Sequence, residues 1–192
     1  MKKDIIVGLD LGTTKVCAVI AEKIPEQNRI DVLGFGVAPS EGLHKGLVAN
    51  IGKTAEAIKS AMAIASNRAG FEVTVVNVGV AGEHITSMRH RNYVTINRDE
   101  KEITKEDLER LEADVRTIRI PSDRQILHII PEEFSIDHQS GIENPIGMSG
   151  SRLEASNHVV LASIPAMENI RKSVERAGYQ VQDYILQPIA SS

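Results

Sequence analysis

The sequence predicts an α/β fold that carries a small α+β insert. Three observations predict it. β-Branched apolar runs cut by turn signals fill the first forty residues and lead into a helix-periodic segment and a further strand. After Gly82 the chain turns polar and charged and brings its own strands and helix. From about Ser163 a well-signalled helix and strand resume the first pattern.

In chain order, Ile5 to Leu9, Val16 to Ala21 and Ile30 to Val37 read as three strands. Gly12-Thr13-Thr14-Lys15 and Pro25-Glu26-Gln27-Asn28 separate them, as in an antiparallel meander. Their near-continuous apolar character implies burial on both faces. A Gly-punctuated loop, Glu41 to Gly46, precedes a helix whose apolar positions Ile51, Ala55, Ile58, Met62, Ala65 and Ala69 recur at i+3/i+4 until Gly70 closes it. Val73 to Val80 follows as a strand, and a strand after a crossover helix runs parallel to a neighbour in its sheet.

The insert is expected over 83–162, leaving 1–82 and 163–192 to the first unit. Within it His84 to Met88 and Asn92 to Ile96 read as strands. Thr104 with Asp107 three residues on is a near capping box, and Leu108, Leu111, Val115 and Ile118 give the helix its buried stripe before Pro121 stops it. Gln125 to Ile130, Glu133 to Asp137 and Leu153 to Ala162 read as strands, with Gly141 to Gly150 a Gly-rich loop. Beyond it, Pro165 opens a helix striped by Met167, Ile170, Val174 and Ala177 and capped by Gly178. Val181 to Leu186 is a last strand, and Pro188 to Ser192 reads as the first turn of a helix.

Composition narrows the function classes. The 192 residues are 42% hydrophobic and 25% charged, the ordinary range for a globular chain, which excludes disorder and disulfide scaffolds. A net charge of −4 without single-sign blocks argues against nucleic acid as a partner, and 3% aromatics with no Trp leaves few stacking platforms. The single cysteine, Cys17, fits a reducing cytoplasm, and no stretch reaches the length of a membrane span or forms a signal peptide. The six histidines form no i, i+4 pair, so they read as surface or edge-strand residues without metal. Glu132 and Glu133, adjacent on a strand, point to opposite faces and make no acid/base pair, and Arg89-His90-Arg91 reads as a charged strand edge.

One stretch carries phosphate chemistry. In Asp10-Leu11-Gly12-Thr13-Thr14-Lys15 a glycine turn between two strands lets backbone N–H groups and two hydroxyls approach phosphate oxygens. Asp10 is placed to hold magnesium through its water shell, and Lys15 adds a point charge. A plain polar hairpin has the same sequence, and such turns also arise by chance.

The run Ile6 to Val19 resembles the first phosphate motif of the actin, Hsp70 and hexokinase superfamily. Gly42 to Val48, Ile130 to Asp137 and above all Gly141 to Gly150 with Arg152-Leu153-Glu154-Ala155 resemble the FtsA family of bacterial cell-division proteins across essentially the whole chain. The resemblance implies a partial actin-like, ribonuclease H-like subdomain 1A with an inserted FtsA-specific subdomain 1C. It carries the nucleotide-phosphate role to Gly12, Thr13, Thr14 and Lys15, and the outer-shell magnesium role to Asp10, with ATP and magnesium as cofactors. It further implies an actin-like scaffold on the cytoplasmic face of the inner membrane at the division site. Such a scaffold ties the FtsZ ring to the membrane, recruits other divisome proteins and self-associates into filaments, with the insert serving those contacts.

A second phosphate motif, the FtsZ-binding subdomain 2B and a membrane-binding C-terminal helix have no counterpart in these residues. The expectation is therefore half a nucleotide cleft, with weak or absent ATP binding and no hydrolysis by this chain alone. The competing readings are the amino-terminal half of a sugar-kinase-like or exopolyphosphatase-like phosphotransferase, and an actin-fold pilus-assembly protein. The Asn144-Pro145 and Gly147 to Gly150 pattern favours FtsA over both.

Overall fold

The computed structural model describes residues 4–187, so the turn read at Pro188 to Ser192 lies outside the described residues. The chain divides into two compact units: residues up to Ile85 together with those from Ser163, and Thr86–Ala162. In chain order the elements are β1 (Ile5–Leu11), β2 (Lys15–Ile24), β3 (Arg29–Pro39), β4 (Leu43–His44), β5 (Leu47–Val48), α1 (Ile51–Ala69) and β6 (Val75–Val80). There follow β7 (Ile85–Thr95), α2 (Lys105–Val115), β8 (Arg124–Ile136), β9 (Gln139–Ile142), β10 (Arg152–Ser163), α3 (Ile164–Arg176) and β11 (Gln180–Leu186).

The first unit is a five-stranded sheet in the order β11-β6-β1-β2-β3. β1, β2 and β3 form the expected antiparallel meander, and β6 runs parallel to both β1 and β11. Asn50 starts α1 by accepting the Lys53 N–H at 3.0 Å, and Gly70, at φ 81°, ends it by donating to the Ser66 carbonyl. The buried stripe of α1 is rich in alanine, Ala55, Ala57, Ala61 and Ala65, because it lies directly on Gly34 and Gly36 of β3. A Cβ at Gly36 would land on the Ala61 carbonyl.

Only one face of this sheet is covered among the described residues, which corrects the expectation of burial on both. Val7, Leu9, Val16, Ala18, Ile20 and Val78 are buried on the side of α1 and α3, whereas Ile6, Val19, Phe35, Val37 and Val75 on the other remain 37–52% exposed. Successive side chains on a strand point to opposite faces, and β-branched residues suit strands by shape as well as by burial. A continuous apolar run therefore fits a strand covered on one side. The outer edge of β3 is partly closed by Arg68, which donates to the Phe35 carbonyl at 2.8 Å and stacks 4.6 Å from its ring.

The second unit is a four-stranded sheet, β7-β10-β8-β9, with α2 packed on it. Its core joins Val94, Ile96, Ile103, Leu111, Ile136 and Leu153, and a smaller cluster gathers Val115, Val159 and Leu161. Four sequence expectations are corrected here. β7 runs unbroken through Arg89-His90-Arg91 as one edge strand. β8 runs unbroken through Pro131, because β9 pairs only with Phe134 and Ile136 and leaves the strand open on that side at the proline. Gly141 and Ile142 belong to β9, and α2 stops at Val115, so Ile118 packs from beyond the helix.

The rest of the Gly-rich loop is pinned to the segment before α2. Gly147 and Gly150 donate to the carbonyls of Ile103 and Lys101, and Ile103 donates to Met148, each at 2.9 Å. Asp137 accepts the N–H groups of Ser151 and Arg152 at 2.9 Å and fixes the loop's end.

Candidate functional site

The three parallel strands β1, β6 and β11 end side by side. Asp10 lies opposite Gly79, and Gly79 opposite Ile185, so the carboxyl ends of all three meet at one point of the sheet. Ligands of open α/β sheets bind outside such carboxyl ends. Here the next residues after β1 are Gly12, Thr13 and Thr14, the turn singled out in the sequence.

That turn is tight. The Gly12 N–H donates to the Lys15 carbonyl at 3.0 Å, and a Cβ at Gly12 would stand 2.7 Å from that same oxygen. A side chain there would collide with the turn's own backbone, so glycine is what keeps the turn tight. Ser40 clamps the far side by donating to the Thr14 carbonyl at 3.0 Å, while both threonine hydroxyls stay on exposed residues. The turn is the floor of an open cavity of about 640 Å³, whose described lining includes Leu11, Gly12, Thr13, Lys45, Gly46, Glu83 and Gln187.

The predicted residues are thus distributed unequally. Gly12 and Thr13 line the cavity, and Asp10 is the next-to-last residue of β1, on an exposed position. Thr14 and Lys15 are exposed, but neither is among the described lining. Three contributors were missed in the sequence. Gln187 follows β11 and donates its side-chain amide to the Asp10 carboxylate. Lys45 and Glu83 pair across the opening, Nζ to Oε1 at 3.3 Å. The parallel pairing of β11 with β6 brings Gln187 to Asp10 across 177 residues of sequence, and the β4–β5 turn packed against Ala81 and Gly82 brings Lys45 to Glu83.

His84, read as superficial, is buried, and its carbonyl accepts the Ser163 N–H at 3.0 Å. Among the described residues no group of three or more His, Cys, Asp and Glu stands ready to hold a metal ion directly. Neither is any helix long and apolar enough to cross a membrane. A second cavity of about 650 Å³ opens at the other end of β6 and β11, beside Gly70, Glu72, Gly178 and Tyr179. It faces the carboxyl ends of α1 and α3, where the helix dipoles are negative. Burial, and then the Glu72 carboxylate, raise the Tyr179 phenol above its ordinary pKa. Such surroundings disfavour a polyanion there.

A meander, crossover helix and parallel strand with a glycine turn after the first strand define an actin-like fold. A chain of the solved PilM-PilN type IV pilus biogenesis complex has that fold in common with this one, at a TM-score of 0.67 and 16% identity, over 96% of this chain and 48% of that one. Residues 82–161 match the family described as the SHS2 domain inserted in FtsA. The chain is 41% identical over 187 residues to the cell division protein FtsA of Pseudomonas aeruginosa, covering 97% of this chain and 44% of that protein. It is 37% identical to that of Borreliella burgdorferi, with 100% and 46% covered, and 34% identical to that of Escherichia coli, with 99% and 44% covered. Over nearly its whole length the chain is similar to these FtsA proteins, and it spans less than half of theirs.

Proposed function

We propose that this chain is the nucleotide-phosphate wall and the interaction insert of a cell-division scaffold. Its ligand is ATP with magnesium, and the scaffold links the FtsZ ring to the cytoplasmic face of the membrane, recruits other division proteins and assembles into filaments. The observation that carries the reading is the bare glycine turn at the joint carboxyl ends of β1, β6 and β11, beside the Asp10 carboxylate. The names of the relatives support the cellular role.

The residues fit the cofactors in kind. The tight turn leaves Thr13 and Thr14 exposed, and their backbone N–H groups and hydroxyls suit phosphate oxygens. A single exposed carboxylate suits magnesium that keeps most of its water. When bound, the magnesium supplies charge neutralisation of the phosphates. Asp10 would hold it, Gln187 would orient Asp10, and the turn would bind the phosphates. On the insert, Ile146 and Met148 stand 48% and 37% exposed on the loop pinned by Ile103 and Lys101, apolar contacts on a rigid support for a partner protein.

Calorimetric titration with Mg-ATP up to millimolar concentration tests the site. The expected result is weak binding that Asp10→Ala abolishes, because a nucleotide gains its affinity from both walls of a cleft. No binding at all overturns the nucleotide reading. Micromolar binding with turnover of a sugar or polyphosphate substrate would instead favour a phosphotransferase.

A further inference from the structure

We propose that Lys45, rather than Lys15, supplies the positive charge that meets the phosphate chain, and that Glu83 holds Lys45 until a nucleotide takes it. This rests on the nucleotide reading above and names the group that would confer it.

Lys45 and Gly46 form the two-residue turn between β4 and β5, with φ values of 51° and 78°. Such a hairpin turn requires the left-handed region at both central positions and favours Asn, Asp or Gly at the first. A lysine there works against the local preference, and departures of this kind gather at functional positions. The turn is also locked in place. A Cβ at Gly46 would collide with the Ala81 carbonyl, and a Cβ at Gly82 would stand 2.7 Å from the Lys45 carbonyl. The two backbones therefore fit against each other through paired glycines, and Lys45 is presented from an immobile support.

Charge makes the case specific. Among the described residues that line the cavity, Lys45 is the only cation and Glu83 the only anion, with the Asp10 carboxylate close behind Gln187. Lys15 is absent from that lining. Without Lys45 the opening would offer carboxylates alone to a polyphosphate, and repel it. The Lys45–Glu83 pair is exposed, 62% and 67% at the side chains, so it contributes little to the fold and breaks easily in favour of a stronger anion. Glu83 acts as a competitor for the lysine, and the two residues should have opposite effects on affinity.

The test is titration of Mg-ATP, and separately of magnesium tripolyphosphate, into the 15N-labelled chain at low salt, following the amides of Gly12, Thr13 and Thr14. Lys45→Asn is the informative variant, because asparagine suits the turn and removes only the charge. The inference expects Lys45→Asn to weaken both ligands on the order of tenfold, and Glu83→Gln to tighten both by about twofold to fivefold. Lys15→Ala should change them less than twofold. If the wild-type amides respond but Lys45→Asn binds as well as wild type while Lys15→Ala does not, the nucleotide reading stands and this inference falls. If Glu83→Gln weakens binding, the competitor role of Glu83 falls. If the wild-type amides respond to neither ligand, the nucleotide reading falls and takes this inference with it.

Discussion

Asp107 is fully buried at the start of α2 and remains a carboxylate. Burial pushes its carboxyl up, but the Thr104 N–H, the Arg98 guanidinium and the Thr104 hydroxyl all donate to it and more than reverse that, leaving it below the ordinary carboxylate range. Arg110 adds an ion pair at 3.2 Å. Asp107→Ala removes the capping box and strands these donors, and should cost about 1–3 kcal/mol in urea denaturation at pH 7. Because the folded pKa is depressed, the stabilisation is present above the unfolded value and is lost as pH falls through the folded one. Stability of the wild-type chain should therefore fall below about pH 4, and that of Asp107→Ala fall less steeply. This capping box was legible from Thr104 and Asp107, since it depends on a spacing of three. Arg98 was not, because it reaches Asp107 from before the helix and no local pattern announces it. The candidate site shows the same division: Asp10, Gly12 and Thr13 share one motif, whereas Gln187 reaches them through the sheet and Lys45 and Glu83 through the β4–β5 turn packed on Ala81 and Gly82.

At the scale of elements, α1 lies on β3 at a distance set by missing side chains. Gly34 and Gly36 face the carbonyls of Ala65 and Ala61, so backbone meets backbone. Gly36→Ala should destabilise the first unit by about 3 kcal/mol, read as a lower denaturation midpoint, since neither strand nor helix can yield without opening the core between them. The helix was legible from its period and its Gly70 cap, and the strands from their apolar runs. Strand continuity in the insert was not. Pro131 is an ordinary strand breaker, tolerated because it falls where β8 has an open edge, a property of pairing and not of local sequence, and the basic cluster at 89–91 lies on the edge strand β7 without interrupting it.

Over the whole molecule, the change in character after Gly82 and the return at Ser163 were legible because each unit has its own apolar pattern. The compact units themselves divide after Ile85, three residues into the segment read as insert, since the entering strand begins while the chain still belongs to the first unit. His84 and Ser163 are joined by a hydrogen bond of 3.0 Å, so the chain leaves and re-enters the first unit at one place. Replacing residues 86–162 by a short Gly-Ser link should leave a first unit that unfolds cooperatively in denaturant and keeps the Gly12 to Thr14 amide shifts of the full chain. Loss of cooperative unfolding would show that the first unit depends on the insert.

The same junction bears on the order in which the chain takes shape. β11 must find β6 across all of the intervening residues, and a disordered excursion of that length would make the search entropically expensive. An insert that folds first brings its own two ends together and shortens the effective separation to the residues outside it, chiefly α3. During synthesis the meander, α1 and β6 emerge before the insert, and β11 after it. The insert would then act as a staple in time as well as in space, and the proposed phosphate site, which draws on Gln187, would form only once β11 had joined β6.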